Sequence, residues 1–220
     1  MARIDPLQIS RRRVGAGLLG LAVSPMAVPA SAAPARGRVV TMLGDSITAG
    51  LGLARADALP AQLQLALGRL GAAVTVRGAG VSGDTTAAGL ARADFSVQAD
   101  TDLCIVALGG NDLLQGLDVR QTRANLTAIV RKLKARRIGV LITGQKAPRA
   151  IGAAYARDFD ASFAQVAAAE RVGLYPNLLD GVGQIPGLNQ RDGIHPNAAG
   201  VKIIAARLAP VVARALRSRA

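Results

Sequence analysis

Four short stretches hold side chains whose chemistry could act together. "GDSITAG" (44–50) carries Ser46, "GVSGDTT" (80–86) carries Gly83, "LGGNDLL" (108–114) carries Asn111, and "RDGIHPNAAG" (191–200) carries Asp192 and His195. His195 is the one histidine in 220 residues. Imidazole has an ordinary pKa near neutrality, which makes it the usual general base. Asp192, close before it in sequence, can accept from Nδ1–H, fix the tautomer and stabilise the imidazolium that forms when Nε2 takes a proton. Pro196 stiffens the turn. Serine needs such a base because its free hydroxyl is a poor nucleophile. An oxyanion developing at an attacked carbonyl needs preorganised donors. The N–H groups of Ser46 and Gly83 and the Asn111 amide are the candidates.

Taken singly, each stretch has a plainer reading. G-D-S fits a capped turn, Gly83 a tight turn before a helix, and Asn111 an asparagine in a glycine turn. The motif at Ser46 is also not the G-x-S-x-G elbow, since Ile47 and Thr48 follow the serine. The joint occurrence of nucleophile, base, orienter and oxyanion donors is far more specific than its parts.

The elements that would position them follow from periodicity. Apolar runs at 38–44, 74–80, 102–110, 138–144 and 173–175 read as strands. Helical patterns lie between them, near 59–70, 84–95, 118–137, 156–171 and 197–216. Near-continuous apolar strands alternating with helices predict a parallel sheet covered on both faces. Such sheets keep their sites in loops beyond the carboxyl ends of the strands, and all four stretches fall in such loops. Asp84 is placed to cap the helix at 84–95, and Asp45, Asp84 and Asp112 read as turn and cap residues. The loop 145–155 leaves the fourth strand beside the site. Pro148, Ile151 and Tyr155 are its candidate pocket-wall residues, with a core contact as the equal alternative for Tyr155.

Composition narrows the class. Half the residues are apolar, yet there are three Phe, two Tyr and no Trp, so the core must be built from Ala, Val, Leu and Ile. The single cysteine, Cys104, excludes an intramolecular disulfide and paired-cysteine metal spacings, and its apolar run makes it a core thiol. The net charge of +13 is densest in "RKLKARR" (131–137), where cations complement a helix C-terminus. So few aromatics for base stacking argue against a nucleic-acid partner, while weak contact with an anionic lipid surface fits the charge. Residues 1–32 read as an export signal: a basic start, an apolar stretch over 14–28, and Ala30-Ser31-Ala32 as an A-x-A cleavage site. Ser10-Arg11-Arg12 resembles a twin-arginine signal, with an ordinary secretory signal as the alternative. Either route predicts a periplasmic or secreted domain over 33–220.

The four blocks, in this order across 44–200, resemble those of the SGNH (GDSL-type) hydrolase family. "GDSITAG" differs from the family's G-D-S-L by Ile47 for Leu, a packing change that keeps the serine. The resemblance implies Ser46 as nucleophile, Gly83 and Asn111 in the oxyanion hole, and Asp192–His195 completing a triad. It implies a flavodoxin-like three-layer α/β/α sandwich around a five-stranded parallel sheet. It further implies hydrolysis of a small-molecule acyl ester through an acyl-serine intermediate, with no metal or organic cofactor. "PRAIGAAYARDF" (148–159) and "GVGQIPGLNQRDGIHPNAAG" (181–200) are similar to the branch of arylesterases and thioesterase I/lysophospholipase L1. The expected activity is cleavage of short-to-medium acyl (aryl) esters. Thioester or lysophospholipid hydrolysis is the alternative on the same fold, and a non-catalytic ligand-binding protein the alternative from another class.

Overall fold

A computed structural model describes residues 37–218 together with Ala2. With Ala2 as the one exception, the export segment expected at 1–32 lies outside the described residues. Five parallel strands, β1 (Arg38–Gly44), β2 (Val74–Gly80), β3 (Leu103–Ala107), β4 (Gly139–Thr143) and β5 (Gly173–Tyr175), form one sheet in the order β2-β1-β3-β4-β5. The connections are α1 (Ser46–Ala49), α2 (Leu59–Arg69), α3 (Thr86–Ser96), α4 (Gly110–Leu114), α5 (Val119–Ala135) and α6 (Ala153–Glu170), and α7 (Ala198–Arg217) closes the chain. This is the doubly wound α/β arrangement expected from the sequence.

Side chains alternate across the inner strands and build two cores. Val40, Met42, Leu103 and Ile105 meet Leu59, Leu63 and Leu67 of α2 and Ile204, Leu208 and Val212 of α7. Leu43, Cys104, Val106 and Ile142 meet Leu126, Ile129 and Val130 of α5 and Phe159 and Phe163 of α6. Both faces of the sheet are therefore covered, and β1, β3 and β4 are almost wholly buried. Strands β2 and β5 are the half-exposed edges.

The bounds of β1, β2 and β5 match the apolar runs. Strand β3 stops at Ala107, three residues before the run ends, because Gly109 turns with φ 113° and α4 begins at Gly110. One cap differs from expectation. Thr85, not Asp84, caps α3 by accepting Ala88 N–H, and the Asp84 carboxylate pairs with Arg92 instead.

The chain runs outward from β1 to β2 and then returns past β1 to β3. The loops leaving β1 and β3 therefore diverge at a topological switch point, where open α/β sheets leave a crevice for ligands. Ser46 and Asn111 stand just beyond those two loops, in the first turns of α1 and α4.

Candidate active site

Ser46 opens α1 directly after β1. Asp45 caps this single turn, its Oδ1 accepting Ile47 N–H at 3.1 Å. The turn closes on Gly50 in the left-handed conformation at φ 76°. Gly80, ending β2, passes so close that a Cβ there would lie 2.3 Å from Ala49 N. Only glycine lets the edge strand pack against the serine turn.

Ser46 Oγ lies 2.8 Å from His195 Nε2, and His195 Nδ1 lies 2.6 Å from Asp192 Oδ2. Asp192 Oδ1 also accepts Ile194 N–H and His195 N–H, at 2.9 and 3.0 Å. The His195 contact first, and then these amides, hold the Asp192 carboxyl down at about 2. An ionised carboxylate can only accept, so Nδ1 carries the proton and Nε2 presents its lone pair to the serine hydroxyl. The histidine loop is braced at its base by Gln190 N–H donating to His195 O and Asn197 N–H donating to Leu188 O. Gln190 Nε2 donates to Leu51 O at 2.7 Å, fastening this loop to the one that carries Ser46.

Asn111 lies in the first turn of α4, and its Nδ2 donates to Asp84 O at 2.9 Å. One amide proton thus fixes the side chain and the other is left to donate elsewhere. Gly83 occupies the β2–α3 turn with φ 87°, next to the residue whose carbonyl holds Asn111. Asp112 is buried and accepts Thr86 N–H, Thr86 Oγ1 and Thr122 Oγ1, locking the Asn111 turn to α3 and α5.

A cavity of about 300 Å³ opens beside Ser46, Asn111 and His195. Its apolar wall comes from Ile47, Leu113, Leu114, Leu179 and Ile194, together with Pro148 and Ile151 of the loop after β4. Pro148 and Ile151 both line this cavity. Tyr155 does not: its hydroxyl donates to Leu117 O, and its ring stacks on Phe159 at 6.2 Å. Helical spacing turns it onto the core-facing aromatic row of α6, away from the cavity lining. Gly83 is likewise outside the lining, on the turn beside it.

Asp45 also lines this cavity while only 3% exposed. Burial pushes its carboxyl up to about 6, against the opposing pull of the Ile47 amide and of His195. Cys104 is fully buried on β3 and its thiol is pushed up to about 12 by burial, so it is an inert core residue. Among the described residues, no group of three His, Cys, Asp or Glu side chains could hold a metal ion. Sequence reasoning missed Gln190, Arg92 and the apolar residues Leu113, Leu179 and Ile194. Only the last group left a signal, as apolar residues inside otherwise polar active loops.

Comparison with known proteins places this geometry among others. A model of the GDSL-like Lipase/Acylhydrolase family matches residues 42–203. The chain is 38% identical to "Esterase TesA" of Pseudomonas aeruginosa over 166 residues, 75% of this chain and 83% of that protein. It is 32% identical to an "Arylesterase" of Vibrio mimicus over 167 residues, 76% of this chain and 84% of the other. Among solved structures, it is similar to AlinE4, described as an SGNH-hydrolase family esterase. That similarity has a TM-score of 0.69 at 41% identity and covers 83% of this chain and 98% of that one.

Proposed function

The chain belongs to the GDSL-like lipase/acylhydrolase family and is a carboxylic ester hydrolase; from that premise we propose that it cleaves short-to-medium acyl and aryl esters through an acyl-serine intermediate on Ser46. The observation that carries this reading is the unbroken hydrogen-bond chain Ser46–His195–Asp192 at the mouth of an apolar cavity. His195 Nε2 takes the Oγ proton as Oγ attacks the acyl carbonyl, and Asp192 stabilises the imidazolium. Ser46 N–H, Gly83 N–H and the free Asn111 amide proton receive the oxyanion. The imidazolium then protonates the departing alkoxide. Water attacks the acyl-enzyme with the same base, and acid and free Ser46 are released.

Pro148 and Ile151 form part of the acyl wall. The cavity, about 300 Å³, is at the small end for ligand sites, which supports short-to-medium chains over long ones. Of the net charge of +13, +10 lies beyond residue 32, which supports weak contact of the mature chain with anionic lipid surfaces. The sequence of residues 1–32 supports export to the periplasm or beyond, with a mature N-terminus near Ala33.

Ser46→Ala should abolish hydrolysis of p-nitrophenyl butyrate and labelling by a fluorophosphonate while leaving the fold intact. Retained labelling at full rate would overturn the assignment. Relative rates on an aryl ester, an acyl thioester and a lysophospholipid would rank the substrate classes; a preference for the thioester or lysophospholipid would displace the aryl-ester reading.

A further inference from the structure

We infer that Arg92, which touches no part of the cavity, is the positioning residue that aligns all three oxyanion donors. The inference rests on the proposed function and goes beyond it. Arg92 projects from α3 and is largely buried, with its side chain 19% exposed. Its guanidinium spends its donors on two backbone carbonyls and two side chains. Nη2 donates to Gly44 O at 2.8 Å, at the end of β1 and just ahead of Asp45 and Ser46. Nη1 donates to Ala79 O at 2.9 Å, at the end of β2 and ahead of the Gly83 turn, and also to Ser96 Oγ at 3.0 Å. Nε pairs with Asp84 Oδ2 at 2.5 Å, and the carbonyl of that same Asp84 holds the Asn111 amide.

Each donor is thus tied to one planar cation. Ser46 lies two residues beyond the gripped Gly44 carbonyl. Gly83 lies between the gripped Ala79 carbonyl and the gripped Asp84 side chain. Asn111 is one hydrogen bond away through Asp84. The rigid fork of a guanidinium suits this task, since its donors keep fixed relative directions that a lysine ammonium cannot reproduce. Gly44 O, which also accepts Val81 N–H at 3.1 Å, and Ala79 O lie where the parallel pairing of β1 and β2 ends, so the cation ties the two strand ends together. Oxyanion donors act through geometry set before reaction, and losing one costs on the order of 100-fold in rate or more. A residue that sets three of them should affect the transition state more than substrate binding.

The test compares Arg92→Met and Arg92→Lys with the unaltered mature protein, well below every Tm, on p-nitrophenyl butyrate. Arg92→Met should lower kcat on the order of 100-fold with KM changed by less than about threefold. The inhibition constant of butylboronic acid, which forms a tetrahedral serine adduct, should rise in parallel with the loss in kcat/KM. Arg92→Lys should recover only part of the loss. In an Asn111→Ala background, Arg92→Met should cost clearly less than in the parent, because the two share one function. If Arg92→Met fails to fold with its orphaned Asp84, the pair Arg92→Met/Asp84→Asn carries the same measurements. A folded variant with kcat within threefold of the parent would overturn the inference. So would a loss confined to KM, or full multiplicativity with Asn111→Ala. These outcomes are separable from failure of the proposed function, which Ser46→Ala tests by itself.

Discussion

Asp45→Asn should make the protein more stable at neutral pH. The Asp45 carboxyl is 3% exposed, and burial carries it from 3.8 up to about 6. The folded state therefore holds this proton over a pH range in which the unfolded chain has released it. Stability supplied by the protonated form is complete below about pH 4 and is lost as pH rises through about 6. At about 1.4 kcal/mol per pKa unit, ionising Asp45 at pH 7 costs the folded state on the order of 3 kcal/mol. Asparagine keeps an oxygen to accept Ile47 N–H as the α1 cap and carries no charge to desolvate. Urea denaturation of both proteins should therefore show Asp45→Asn gaining up to about 3 kcal/mol at pH 8 and much less at pH 4.5. Comparing the two proteins cancels the other titrating groups. A difference that is the same at both pH values would refute the reasoning, as would a variant less stable at pH 8.

Two further substitutions probe the frame around the site. Asp192→Ala leaves the histidine without its orienting acceptor, and kcat should fall on the order of 1,000-fold or more; steady-state hydrolysis of a soluble ester measures it. Gly109→Ala puts a Cβ 2.9 Å from the Phe163 ring at a residue with φ 113°. It should destabilise the fold by about 2–4 kcal/mol in urea denaturation.

Much of this architecture was legible because its signals are local. The apolar runs of β1 and β3 and the amphipathic pattern of α5 declare themselves within a few residues, and the parallel sheet follows from their alternation. The site residues were legible because four loops each carry a chemically distinctive side chain and the doubly wound sheet gathers such loops at one edge. Signals that depend on distant partners were not. Asp84 and Thr85 are adjacent and both able to cap; the choice fell to Thr85 because Arg92 takes the Asp84 carboxylate. Arg92 reaches Gly44 across 48 residues, and Gln190 reaches Leu51 across 139, so neither bracing role leaves a mark in its own neighbourhood. Tyr155 is different, because its signal was present. Tyr155, Phe159 and Phe163 recur every four residues along α6, a spacing that stacks rings on one core-facing row.

The most direct test of the account is the activity of His195→Ala. No other histidine exists in the sequence to take its place, and its ring is the only link between the Asp192 carboxylate and the Ser46 hydroxyl among the described hydrogen bonds. Hydrolysis of p-nitrophenyl butyrate by the folded variant should fall by three orders of magnitude or more, as expected for loss of a triad base, roughly 10³-fold at least. A folded His195→Ala protein that keeps a tenth or more of the parent kcat would contradict the account.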